Sequence, residues 1–109
     1  MNGPHPRHEL DNLLNHPVRL SIVASLVQVD RAEFALVRET VEVSEPMLSK
    51  QVALLEDAGY VDVTKGRVAR RTRTWLGLTV EGRAAFARHV RALQAIASLG
   101  AQPRREESR

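Results

Sequence analysis

The chain contains no cysteine. Disulfides, thiolate metal sites and thiol nucleophiles are therefore excluded, and the usage fits a reducing cytosol. Aromatic residues are also scarce: Phe34, Tyr60, Trp75 and Phe86 are all of them. With so few rings the core must come from Leu, Val, Ile and Ala, which suits a mainly helical protein. Long apolar runs are absent, so no segment is expected to span a bilayer, and residues 1–8 lack the apolar stretch of an export signal. A cytoplasmic protein without membrane contact is the expectation. No paired carboxylates, nucleophile elbow or phosphate-cradling glycine loop is present. Neither an enzyme nor a cofactor is expected. Acids are missing from one further place, the stretch between Lys65 and Arg73.

At 109 residues the chain is one domain with a modest core, small enough for self-association to add useful burial. A net charge of +3 is slight, so where the charge sits matters more than its sum. Residues 1–8 are rich in Pro, His and Gly and read as a disordered or extended arm. Residues 9–15 suggest a short helix with Leu10, Leu13 and Leu14 on one face. His16-Pro17 interrupts it and opens a second helix to Gln28, because a residue before proline avoids helical angles. Residues 30–33 read as a connection and 35–42 as a short helix.

Ser44 is a good N-cap, Pro46 suits a first turn, and Leu48, Val52 and Leu55 recur at i, i+4 and i+7. Gly59 then ends a helix over residues 44–58. Two β-branched and aromatic-rich runs, residues 60–65 and 72–78, flank a loop expected to turn at Gly66. Thr79 caps a last helix, residues 80–99. Residues 100–109 read as a disordered tail, leaving 9–99 as the folded domain.

A helix sized for the major groove beside a basic hairpin sized for the phosphate backbone points to double-stranded DNA. With the leucines inward, Met47, Ser49, Lys50 and Gln51 are the candidates for base edges. Lys50 would donate to guanine or phosphate, Gln51 would pair with adenine, and Met47 would touch a thymine methyl. The bland alternative is the solvated face of an amphipathic helix. The hairpin weighs against it, since Lys65, Arg67, Arg70, Arg71 and Arg73 are all of one sign. Basic hairpins also discourage strand aggregation, but these arginines adjoin a capped helix. Arg67, Arg70 and Arg71 are expected on phosphates or in the minor groove, with Arg73 doing either. Arg38, and more weakly Arg19, would steady the backbone. Trp75 is expected to pack within the protein rather than stack on a base. No two of His5, His8, His16 and His89 share a helical metal-site spacing, so no metal is expected; His16 reads as a helix-start residue and His89 as a surface one.

The order of helix, short strand, helix, turn, helix, hairpin and long helix resembles the small single-domain winged helix-turn-helix regulators of the MarR and ArsR kind. His16-Pro17-Val18-Arg19 resembles the opening of their first core helix. Leu48-Ser49-Lys50-Gln51-Val52, continued by Leu54-Leu55-Glu56-Asp57-Ala58-Gly59-Tyr60-Val61, resembles a recognition helix running into a wing. Leu78-Thr79-Val80-Glu81-Gly82 resembles the junction to the final helix. The chain departs from the pattern at Gln51, where relatives often carry His or Arg. The resemblance implies a mainly α fold with a small β-hairpin wing at 65–73, and a homodimeric DNA-binding regulator, usually a repressor. An unknown small-molecule effector would be compatible with it.

The residues argue independently for a dimer. Phe86, Val90, Leu93 and Ala97 recur like a coiled-coil seam that Ile96 broadens, and Leu10, Leu13 and Leu14 are surplus to a three-helix core. Two surplus apolar faces suggest an interface between subunits meeting a palindromic operator. The competing reading is a winged-helix module that holds a protein partner and has no preference among DNA sequences.

Overall fold

The computed structural model describes residues 3–101; Met1, Asn2 and residues 102–109, most of the expected tail, lie outside the described residues. Helix α1 spans Pro17–Leu26. Pro17 occupies its first turn, and His16 caps it by accepting the Arg19 N–H on Nδ1 at 3.3 Å. The short helix expected over residues 9–15 does not form. Pro6–Glu9 is a 3-10 helix where an extended arm was expected. After it, Asp11 Oδ1 accepts the N–H groups of Leu13 and Leu14 at 2.9 and 3.1 Å. A capping aspartate offers the backbone an alternative to helix, which is why a turn prevails here.

Residues 30–33 are more than a connection, because Ala32–Glu33 forms strand β1. Helix α2, Phe34–Val41, follows directly and stops at Glu42 in a left-handed conformation, φ 63°. Helix α3 spans Glu45–Asp57. Ser44 Oγ accepts the Met47 N–H at 3.2 Å, satisfying one of the helix start's free donors. Leu48, Val52 and Leu55 point into the core against Ile22, Leu26 and Val37. Each such leucine contributes about 1.5–3 kcal/mol by leaving water. Gly59, at φ +80°, turns the chain out of the helix.

The hairpin is longer and tighter than its sequence suggests. Strands β2, Val61–Val68, and β3, Arg71–Leu78, pair antiparallel from Val61↔Leu78 to Val68↔Arg71. The turn is therefore Ala69-Arg70, not Gly66, which lies inside β2 opposite Arg73. Both turn residues have positive φ, 51° and 72°, as a two-residue hairpin turn requires, although neither is glycine. β1 adds to the outer edge of β3, giving the sheet order β1-β3-β2.

Helix α4 runs over Val80–Leu99, capped by Thr79, whose Oγ1 accepts the Gly82 N–H at 2.9 Å. Gly82 is buried against the Tyr60 carbonyl, and any side chain there would collide with it. The buried face of α4 is Gly82, Ala85, His89 and Ala92. The small residues let the N-terminal segment and α1 approach closely. His89 is thus an interior residue, not a surface one, with no exposure. Leu14 is likewise wholly inside its own core, so it is not surplus and has no face to offer a second subunit. Of the other residues expected at an interface, Leu10, Leu13, Phe86, Val90 and Ile96 are half-buried, while Leu93 and Ala97 are exposed.

Candidate nucleic-acid interface

The exposed side of α3 carries Met47, Ser49 and Lys50, next to one another in its first two turns. The cap at Ser44 and the buried leucines leave this face little freedom. Gln51 is placed differently. It is only 4 % exposed, and its amide is turned inward to Arg19 and Met47. The expectation that it pairs with adenine is corrected by this burial. Position 51 follows Leu48 by three residues and precedes Leu55 by four, so it shares their inward face.

The hairpin distributes its charge over two faces and a tip. Cross-strand partners share a face, so Lys65 and Arg67 go with Val63 and Thr74 on the side turned to α3. Arg71 and Arg73 take the opposite face, and Arg70 sits in the turn. Lys65, Arg67, Arg70 and Arg71 are exposed. Arg73 is not free: its Nη1 donates to both oxygens of Glu33, at 2.5 and 2.8 Å. Glu33 stands opposite Trp75, which makes Arg73 its diagonal neighbour across the β1–β3 pair. The Arg31 guanidinium lies 4.4 Å from the Trp75 ring centroid, so one ring face is already covered within the protein. Arg38 is half-buried in the last turn of α2.

A polar cluster that sequence reasoning missed lies behind this surface. Tyr60 Oη donates to Asp11 Oδ2 at 2.6 Å, and the Asp11 N–H donates to His89 Nδ1 at 3.0 Å. The bond to Asp11 and partial burial push the Tyr60 phenol up to about 12. Burial pushes His89 below the usual imidazole range, while the Asp11 carboxylate opposes that shift. With Nδ1 accepting, the proton sits on Nε2, which has no hydrogen-bond partner among the described residues. Arg19, expected as a weak backbone contact, instead donates to the Leu13 carbonyl and to Gln51. Asp11 two residues before Leu13 is a legible turn signal, whereas Ala84, Ala87, Ala95 and Ala97 are exposed, so small residues alone do not mark the inner face of α4. Nothing local marks the partner of Gln51, which is 32 positions away.

A helix-turn-helix with a basic two-stranded hairpin beside its second helix defines a winged helix. The chain belongs to the winged helix DNA-binding domain family, whose profile matches residues 18–97. It is 28 % identical over 78 residues to an uncharacterised protein of Methanocaldococcus jannaschii, covering 72 % of this chain and 85 % of that one. Among solved structures it is similar to a transcriptional regulator homologue from Pyrococcus horikoshii OT3, at 27 % identity and TM-score 0.75, covering 81 % of this chain and 87 % of that one. A MarR-family transcriptional regulator from Silicibacter pomeroyi shares the fold, at 22 % identity and TM-score 0.64, over 90 % of this chain and 65 % of that one. The winged helix-turn-helix fold implied by the resemblance is borne out. Among the described residues no helix is long and apolar enough to cross a membrane.

Proposed function

We propose that this protein is a dimeric, sequence-specific transcriptional regulator that represses by occupying a palindromic operator in the cytoplasm. The carrying observation is that Ser49 of α3 and Lys65 of the hairpin line one cleft, with Met47 and Lys50 exposed on the same helix and the acid-free hairpin tip exposed beyond it. The first turns of α3 enter the major groove, where Lys50 donates to guanine or phosphate and Met47 meets a thymine methyl. Lys65, Arg67, Arg70 and Arg71 neutralise phosphates or reach the minor groove. Arg38 steadies the backbone, and Arg73 contributes only if DNA competes it away from Glu33. The exposed far half of α4, with Leu93 and Ala97 flanked by Val90 and Ile96, pairs two copies. Leu10, Leu13 and Phe86 extend that contact from half-buried positions. The recognition helices then stand about 34–36 Å apart, one turn of duplex.

Control acts through occupancy rather than chemistry. A small-molecule effector fits this reading, because NadR, a protein of the same fold, has been solved in complex with 4-hydroxyphenylacetate. Selection of bound fragments from random duplex DNA tests the whole proposal. The expected outcome is an inverted repeat with half-sites one helical turn apart. Recovery of no shared sequence, with binding insensitive to salt, would favour a protein-binding module instead.

A further inference from the structure

Gln51 poses a question that its neighbours do not. Leu48, Val52 and Leu55 already fill the inner face of α3, and a leucine at 51 would extend the stripe. Instead an amide is buried there, which costs free energy unless its polar atoms are satisfied. Both are. Arg19 Nη1 donates to Gln51 Oε1 at 2.8 Å, and Gln51 Nε2 donates to Met47 Sδ at 3.4 Å. The amide has only one workable orientation, because a guanidinium carries donors alone and must face the oxygen. The nitrogen is thereby aimed at Met47, a residue on the outward face and 39 % exposed.

The other end of Arg19 is equally committed. Its Nε donates to the Leu13 carbonyl at 2.6 Å. That carbonyl is held in place because Asp11 Oδ1 caps the turn through the Leu13 and Leu14 N–H groups. The His16 imidazole, capping the Arg19 N–H, fixes where α1 begins and so where Arg19 projects. The result is a continuous path: N-terminal turn, Leu13 carbonyl, Arg19, Gln51, Met47. The planar fork of arginine suits it to bridge two acceptors at once, which a lysine's single ammonium does poorly over the same span.

We propose that Arg19 and Gln51 are positioning residues for base recognition, tethering Met47 and the first turns of α3 to the N-terminal turn at Leu13. The inference rests on the DNA-reading function proposed above. It assigns Gln51 an effect on sequence preference although the amide never meets a base. A side chain of three rotatable bonds makes a poor sequence reader unless something holds it, and the Gln51 amide holds the Met47 sulfur.

Three substitutions test the tether. Arg19→Met and Gln51→Leu remove it, while Gln51→Glu keeps an acceptor for Arg19 but loses the donor to Met47. Binding is measured to the selected duplex and to duplexes altered at the base pair nearest Met47. Each variant is expected to lose about tenfold of that discrimination, the scale of one hydrogen bond to a charged or well-ordered group. Affinity for unrelated duplex should stay unchanged, and Arg19→Met combined with Gln51→Leu should lose no more than either alone. Gln51→Glu should do so without a fall in Tm, which a merely structural role does not allow. Equal loss on every duplex, or additive losses in the double variant, overturns the proposal. The Met47 methyl resonance of DNA-free protein supplies a second readout: it should shift in Arg19→Met, although Arg19 is joined to Met47 only through Gln51. An unmoved resonance overturns the tether alone. Wild-type protein showing no preference among duplexes overturns the regulator reading and this proposal with it.

Discussion

The two surfaces proposed to meet DNA are held in opposite ways. Helix α3 is capped at Ser44, anchored by Leu48 and Leu55, and bonded through Gln51 to a different part of the chain. The far half of the hairpin has its own strand pairing, one bond from Arg67 Nη2 to the Arg70 carbonyl at 3.4 Å, exposed side chains and a turn of two residues at positive φ. The difference matches what the proposed function asks of each surface. Distinguishing bases needs donors and acceptors held to fractions of an ångström, whereas neutralising phosphate needs only positive charge within reach. On the proposed reading, bonds back to the core gather on the surface that reads sequence and are fewest on the one that matches charge.

Removing an anchor of the rigid side should have the largest effect. Leu55→Ala should cost about 2–5 kcal/mol of stability, as buried leucines do when a cavity is left. Val68→Ala near the hairpin tip should stay within about 0.5 kcal/mol. Urea titration of both variants decides this, and equal losses would erase the contrast. Next in size is the charge of the slack side. Arg70→Ala with Arg71→Ala should weaken binding to all duplexes and lower the slope of log affinity against log salt by about 2 per subunit, leaving the preferred sequence unchanged. Lys50→Ala should do the reverse, changing the preferred base with little effect on that slope.

A smaller effect is expected at the turn itself. Ala69 adopts a left-handed conformation that glycine accepts without strain, so Ala69→Gly should stabilise the protein by about 1 kcal/mol. A thermal melt that falls instead would mean the tip is held by something other than strand pairing. The last lever is pH. Burial depresses His89, so below about pH 6.5 the unfolded chain takes up a proton that the folded one resists. Stability should therefore be full above that value and decline as pH falls through it. His89→Asn, which keeps an acceptor for the Asp11 N–H, should lessen the decline between pH 8 and pH 5 in paired Tm measurements.

Much of the rigid side was legible in the sequence. Ser44, Pro46, the leucine stripe, Gly59 and Thr79 each act through their immediate neighbours, and local chemistry fixes helix starts and stops. The hairpin was legible in kind but not in register. Gly66 looked like the turn because glycine accepts positive φ without strain, yet the strand pairing carried the turn to Ala69-Arg70. Two residues have no periodicity to detect, so β1 was legible only through the resemblance, whose element order includes a short strand. Leu14 and His89 were misplaced for a shared reason, each being buried by parts of the chain distant in sequence: Leu14 by the assembled core, and His89 by the Asp11 turn. Gln51 differs, because its spacing already set it on the leucine face and only its partner Arg19 is distant.

By itself the sequence determined where helices begin and end, which leucines turn inward and where positive charge gathers. Those properties follow from dihedral preferences and spacing within a few residues. Tertiary structure decided which polar groups are spent inside the protein and which remain for a partner. Arg73 is held by Glu33, and Gln51 by Arg19, while Lys50 and Arg70 stay exposed. A hydrogen bond depends on where two groups meet in space, and only the folded chain brings them together.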